Sequence, residues 1–173
     1  MKFMVMEGGA PHEVQVTGLS DVNLRQSAAI ADAIARLIPH EGVDYLIDMN
    51  GGTMSFKPET DKGVQWCSYL RSMMAKNPPD IKVGPNAKIE MLAYITGMIP
   101  KDGIDYDSVI MFRGPKSKEV SYRLTAYNEK GTFWRDYVSV MLKKYPPHPD
   151  YRADMLPDNP DPVVEVPKEF MEV

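Results

Sequence analysis

The chain of 173 residues has little of several features by which function is often recognised. Its single cysteine, Cys67, excludes a disulfide scaffold and any zinc site built from several cysteines. No apolar run approaches the roughly 18 residues that a membrane-spanning helix needs. The start of the chain is interrupted too early, by Glu7, Gly8 and Gly9, for a signal peptide. We therefore expect a cytoplasmic protein with no membrane partner.

The sequence also lacks the short motifs of the common catalytic sites. It contains no glycine-rich phosphate-binding loop, no nucleophile elbow and no set of zinc ligands at the usual spacing. Its three histidines are scattered, and none lies near Cys67 in sequence to activate that thiol. We therefore expect neither an enzyme nor a protein that holds a cofactor or a metal ion.

What the sequence does contain is an internal repeat. Residues 38–45 read IPHEGVDY and residues 99–106 read IPKDGIDY, with five of the eight positions identical. Residues 62–79 and 130–147 also align, with eight identities in 18 positions. This pattern predicts a tandem duplication. The predicted parts are a head (1–11), repeat one (12–79), repeat two (80–147) and a tail (148–173).

Both repeats predict the order strand, helix, strand, strand, helix. Short β-branched segments at 14–16 and 81–83 predict the first strand. The other two strands form a hairpin, which turns at Gly51 and Gly52 in repeat one and is longer by seven residues in repeat two. Two such units would share one antiparallel sheet about a pseudo-twofold axis, with helices on one face and residues 1–6 as an edge strand. The predicted fold class is therefore α+β.

The helices are predicted from their caps and apolar stripes. The predicted N-caps are Ser20 or Asp21 and Asn86 for the first helices, and Thr60 or Asp61 and Thr132 for the second. Trp66 and Trp134 lie on the apolar stripes of the second helices, so we expect core anchors rather than a platform for stacking ligands. Cys67 aligns with Arg135, which predicts a partly exposed thiol.

Two aspartates recur at the same place in the repeats. Asp44 and Asp105 each follow a Gly-Val or Gly-Ile pair at the entry to a strand. A pseudo-twofold axis could bring them together as an acid–base or metal pair. The alternative, which we favour, is that each carboxylate accepts hydrogen bonds from the backbone of its own turn.

The net charge of −4 is unevenly distributed, because repeat one carries −2, repeat two +3 and the tail −5. A polyanionic partner is therefore not excluded. The clearest basic cluster is the hairpin tip RGPKSK (113–118). It indicates either a site for a polyanion or only a solvated loop whose charges keep a sheet edge soluble. With further basic residues and two tyrosines for base stacking, it predicts an interface for single-stranded DNA or RNA. The candidate residues are Arg113, Lys116, Lys118, Tyr122, Arg123, Tyr127, Lys130, Lys143 and Lys144.

The tail is rich in proline and acidic residues and ends in an apolar tip. It predicts either a mobile arm that docks partners through Phe170, Met171 and Val173, or an ordered strap on this chain or a neighbouring subunit, which we favour. Three functional hypotheses follow. The first is a non-enzymatic protein that binds single-stranded nucleic acid through the basic hairpin and sheet face of repeat two, with the acidic tail modulating access. The second is an assembly protein whose tail straps a neighbouring subunit or partner. The third is a binder of a small ligand at the interface between the repeats.

Overall fold

The computed structural model of the protein describes residues 1–49, 53–82, 84–114 and 119–153. Within these residues the chain forms four α-helices, a four-stranded mixed sheet and a two-stranded sheet. The predicted α+β class is therefore confirmed. The prediction of one continuous antiparallel sheet is wrong, because the hairpins of the two repeats lie in separate sheets.

The elements follow the chain with short connections. The strands are β1 (Lys2–Glu7), β2 (Ala10–Val14), β3 (Tyr45–Asp48), β4 (Ser55–Pro58), β5 (Tyr106–Phe112) and β6 (Val120–Ala126). The α-helices are α1 (Asp21–Ala35), α2 (Asp61–Lys76), α3 (Ala87–Met98) and α4 (Glu129–Lys144). One turn of 3₁₀-helix, Val16–Gly18, precedes α1.

The chain divides into two compact units. Unit 1 contains Met1–Ala33 and the described residues from Lys101 onward, and unit 2 contains Ile34–Pro100. Unit 1 thus holds β1, β2, β5, β6, α4 and most of α1, while unit 2 holds β3, β4, α2 and α3. Each unit combines elements from both sequence repeats, so the boundaries of the units differ from those of the repeats.

The sheet of unit 1 has the strand order β2-β1-β5-β6. β1 pairs antiparallel with β2 across a turn at Gly8 and Gly9, whose φ values of 59° and 81° favour glycine. It also pairs in parallel with β5, and β5 forms the predicted antiparallel hairpin with β6. The prediction that residues 1–6 are an edge strand is therefore wrong. Because β1 occupies one edge of β5, that edge is closed to the hairpin of repeat one.

The short strands predicted at 14–16 and 81–83 are also wrong. The chain leaves β2 at Val14 and enters the 3₁₀ turn, while Ile81 and Lys82 lie outside any strand and residue 83 lies outside the described residues. A run of three residues forms a strand only where a neighbouring strand offers a partner, because β-propensity depends strongly on context.

The core of unit 1 lies between the β5–β6 hairpin and α4. Ile110 and Tyr122 stand directly opposite each other on one face of the hairpin, and both are buried. The apolar stripe of α4 packs on β6 and β5, with Trp134 only 2% exposed. The prediction that the tryptophans are core anchors is confirmed here and in α2, where Trp66 is 1% exposed.

The N-cap of α4 is Asn128, which corrects the predicted Thr132. The Asn128 side chain accepts a hydrogen bond from the Gly131 amide at 3.0 Å. At the equivalent end of α2, the predicted cap Thr60 accepts from the Gly63 amide at 3.2 Å and is confirmed. Thr60 and Asn128 are 68 positions apart, as are the aligned tryptophans Trp66 and Trp134, so the repeat alignment itself contained the signal for the correct cap.

Unit 2 is built on the antiparallel hairpin of β3 and β4, whose predicted glycine turn lies outside the described residues. Tyr45 and Phe56 meet edge to face across this hairpin, with ring centroids 6.4 Å apart. α2 packs on β4 and also on α3, and the Tyr69 hydroxyl donates to the Met98 carbonyl at 2.6 Å. The predicted start of α3 after Asn86 is confirmed.

Cys67 is fully buried, so the prediction of a partly exposed thiol is wrong. Its aligned partner, Arg135 on α4, is half-buried. α2 packs against both β4 and α3, so more of its surface is buried than the apolar stripe in the sequence indicates. Burial raises the pKa of the Cys67 thiol, because desolvation disfavours the thiolate.

The Cys67 thiol is expected to be inert in the folded protein, because both its burial and its raised pKa suppress the reactive thiolate. A colorimetric disulfide reagent should label it at least about 100-fold more slowly in buffer than in denaturant, since reaction must await local opening. Rapid labelling of the native protein, with unchanged circular dichroism, would contradict the buried placement.

Candidate nucleic-acid interface

A turn of the same construction precedes β3 and β5, and we call these two turns the twin turns. In unit 2, Gly42 has a φ of 89°, and its amide donates to the Tyr45 carbonyl at 2.7 Å. In unit 1, Gly103 has a φ of 86°, and its amide donates to the Tyr106 carbonyl at 2.6 Å. Glycine is favoured at both positions because a side chain is strained at positive φ. The two sequence repeats therefore place the same turn ahead of each hairpin.

The aspartate of each turn closes it through both carboxylate oxygens. Asp44 accepts from the His40 amide and from the Thr60 hydroxyl, each at 2.8 Å. Asp105 accepts from the Lys101 amide and from the Asn128 side-chain amide, each also at 2.8 Å. The favoured interpretation of these aspartates as turn residues is confirmed.

The ionisation of Asp44 is tied to this turn. Burial alone would raise its pKa, but the hydrogen bonds from His40 and Thr60 and the Lys62 ammonium, 3.6 Å away, outweigh it, so that the pKa lies below its ordinary value. A carboxylate with a lowered pKa and two hydrogen-bond donors in place suits a structural role better than proton transfer. No group of three or more histidine, cysteine, aspartate or glutamate side chains that could hold a metal ion occurs in the described part of the chain.

The turn of unit 1 also fixes the direction of α4. Asp105 holds the cap Asn128 through its side chain and accepts from the Tyr127 amide through its carbonyl at 2.9 Å. Only Tyr127 and Asn128 connect β6 to α4, so the helix must run back along the sheet. β6 and α4 are both about 23–24 Å long, which places the last turn of α4 at the end of the sheet where β6 begins.

The chain beyond α4 returns to that same end. The Val120 amide donates to the Asp150 carbonyl at 3.3 Å, and the Arg152 amide donates to the Val120 carbonyl at 2.9 Å. Tyr151 forms a parallel bridge with Val120 and is 9% exposed. The first residues of the predicted tail therefore lie against β6. The rest of the predicted tail, residues 154–173, lies outside the described residues, so the choice between strap and mobile arm stays a prediction.

Basic side chains and one ring collect at this end of unit 1. Arg113 follows β5, with its side chain 57% exposed and its guanidinium 3.8 Å from the Glu119 carboxylate. Lys143 and Lys144 occupy the last turn of α4. Tyr145, the C-cap, is 55% exposed, and the Lys144 ammonium lies 5.6 Å from the centroid of its ring. We call the following set the basic end: Arg113, Lys143, Lys144, Tyr145 and Arg152.

Two members of the basic end were not among the sequence candidates. Tyr145 stands in the run Lys-Lys-Tyr-Pro-Pro. Two lysines precede this tyrosine and two prolines end the helix after it, a pattern that indicates an exposed aromatic side chain. Arg152 is an exposed side chain in the predicted tail, and only the hydrogen bond of its amide to Val120 places it here. The Glu119 carboxylate lies 3.8 Å from the Arg113 guanidinium, and Asp150 is held beside Val120 through its backbone carbonyl.

Other predicted residues lie elsewhere. Tyr122 is 8% exposed, so its proposed stacking role is wrong; it faces the core, and burial raises the pKa of its hydroxyl. Arg123 is half-buried on the opposite face of β6. Tyr127 is 56% exposed and donates its hydroxyl to Asp107, but it lies with Lys130 at the other end of unit 1. The following candidates lie outside the described residues: Lys116, Lys118, Phe170, Met171 and Val173.

Comparisons of the chain with protein-family models, with curated proteins and with solved structures give no match. The interpretation of the basic end therefore depends on its own chemistry. No helix among residues 1–49, 53–82, 84–114 and 119–153 is both long and apolar enough to cross a bilayer.

Proposed function

We propose that the protein binds single-stranded nucleic acid at the basic end of unit 1, without catalysing a reaction. The observation that carries this proposal is the Tyr145 ring, 55% exposed and covered on one side by Lys144, at the end of the unit where Arg113 and Arg152 also lie. Cations beside an exposed ring are the combination by which single strands are held.

The two kinds of side chain have different roles in this proposal. Arg113, Lys143, Lys144 and Arg152 neutralise backbone phosphates, which releases counterions and favours binding at low salt. Tyr145 stacks on one base. A base that is already paired and stacked inside a duplex cannot reach an exposed ring, so the ring favours single strands. Backbone contacts and stacking do not distinguish the bases, so we expect weak sequence dependence.

The salt dependence of binding gives the first measurement. If four side chains each neutralise one phosphate, the logarithm of the affinity should fall with the logarithm of the salt concentration at a slope of about −2.8. Affinity for a fluorescent oligothymidine should therefore weaken about 50-fold between about 50 and 200 mM salt. Absence of any binding at the lower concentration would refute the proposed function.

The second measurement compares two tyrosines of equal exposure. Tyr145→Ala should weaken binding by at least about fivefold, because base stacking contributes about 1–3 kcal/mol. Tyr127→Ala is the matched control, since Tyr127 is 56% exposed but lies at the other end of unit 1, and it should leave the affinity unchanged. Equal losses in both variants, or none in either, would show that the basic end is not the binding surface.

A further inference from the structure

Unit 2 contains a cavity of about 230 Å³ that no part of the proposed function uses. It lies among the β3–β4 hairpin, α2, the proline pair that follows α2, and α3. Four of the eight lining residues are methionines: Met49, Met54, Met74 and Met91. Two prolines, one isoleucine and Thr53 are the other described residues of the lining, and none of these eight has an ionisable side chain. An uncharged wall excludes charged ligands, because it offers no partner to replace lost hydration.

The four methionines that line this space differ in exposure. Met91 on α3 is fully buried, while Met49, Met54 and Met74 are half-buried. Methionine side chains are flexible and polarisable, and their sulfur atoms make favourable contacts with aromatic rings. The lining therefore suits a planar aromatic ligand better than a saturated one of the same size.

The volume limits the size of the ligand. An apolar cavity of about 150 Å³ holds one benzene molecule. A cavity of about 230 Å³ therefore has room for two fused rings. We propose that unit 2 binds a neutral, bicyclic aromatic molecule among these four methionines. The lining residues come from both sequence repeats, but all of them belong to unit 2. None belongs to the basic end, so this proposal is independent of nucleic-acid binding.

The experiment uses 1-naphthol, a neutral two-ring probe, and protein carrying ¹³C only in its methionine methyl groups. The chain has 13 methionines, each of which gives one methyl signal. Ring currents from bound 1-naphthol should shift the signals of Met49, Met54, Met74 and Met91 and leave the other nine in place. For a ligand of this size we expect saturation with a Kd between about 0.1 and 5 mM.

Two variants and a saturated probe separate the cavity from general hydrophobic adsorption. Thr53→Trp places a large ring at an exposed position of the rim, and should weaken binding at least about tenfold. Thr96→Trp, at an exposed position of α3 outside the cavity, is the control and should bind as the native protein does. Decahydro-1-naphthol should bind at least about fivefold more weakly than 1-naphthol, since it lacks the ring that the sulfur atoms contact.

Several results would overturn the proposal. These are shifts that do not saturate, shifts spread over methionines outside the cavity, and equal affinity in Thr53→Trp and Thr96→Trp. Equal affinity for the two probes would remove the preference for aromatic ligands. Loss of oligothymidine binding has no bearing on this outcome, because the four cavity methionines belong to unit 2 and the basic end belongs to unit 1.

Discussion

Replacing Gly131 or Gly63 by alanine is expected to destabilise the protein by about 3 kcal/mol or more, although alanine is the better helix former. A Cβ atom at Gly131 would lie 1.9 Å from the Asp105 carbonyl oxygen, and one at Gly63 would lie 1.7 Å from that of Asp44. Both of these carbonyl oxygens are backbone atoms of the twin turns, so no side-chain rotation relieves the contact. The first turn of each helix must therefore separate from the turn that holds its cap.

Gly97→Ala on α3 is the matched control. It is also a glycine inside a helix, but a Cβ atom there meets nothing within 4 Å. Its φ is not in the left-handed region, so alanine fits without strain, and we expect a stabilisation of about 0.5–1 kcal/mol. Urea unfolding followed by circular dichroism measures all three changes on one scale. Similar free energies of unfolding for Gly97→Ala and Gly131→Ala would contradict the close approach of α4 to its turn.

Asp44→Ala is expected to lower the free energy of unfolding by about 2–4 kcal/mol at about pH 7, because it leaves the His40 amide and the Thr60 hydroxyl without their acceptor. Asp44→Asn keeps the shape and one acceptor oxygen, so we expect a smaller loss. The same urea titration gives both values. A loss within about 0.5 kcal/mol of zero for Asp44→Ala would contradict the structural role of the carboxylate.

The decrease in the free energy of unfolding on replacing Asp44 should also depend on pH. The pKa of the folded Asp44 carboxyl is below its ordinary value, so its ionised form stabilises the fold above the unfolded pKa of about 3.9. That contribution is lost as the pH falls through the folded pKa, because the Asp44 carboxyl is then protonated in the folded state as it already is in the unfolded state. The difference between native protein and Asp44→Asn should therefore be constant above about pH 5 and shrink below about pH 4. A difference that grows on acidification would contradict the lowered pKa.

Part of the candidate site could be predicted from residue types alone. Arg113 was a candidate at the predicted hairpin tip, and Lys143 and Lys144 were candidates as further basic residues of repeat two. The structure places all three at one end of unit 1. Tyr122 was a wrong candidate, although its alternation with Val120 and Leu124 along β6 already indicates an inward side chain. The position of Tyr122 opposite Ile110 confirms that orientation.

The remainder of the site depends on contacts between residues far apart in sequence. The hydrogen bond between the Arg152 amide and the Val120 carbonyl brings Arg152 to the basic end, and it joins residues 32 positions apart. Tyr127 and Tyr145 are almost equally exposed, yet only the course of α4 assigns them to opposite ends of the unit. Composition and spacing do not contain this information, because they do not specify which surface each element meets.

The sequence by itself determined the twin turns, the hairpins of both repeats and the positions of the helices. These features depend on hydrogen bonds and backbone preferences within a few residues, such as the acceptance by Asp44 from the amide four positions before it. Only the tertiary structure decided the rest: the parallel insertion of β1 beside β5, the burial of Cys67 and the division into two units. Strand edges and helix faces compete for partners across the whole chain, and the outcome follows from total packing rather than from any local pattern.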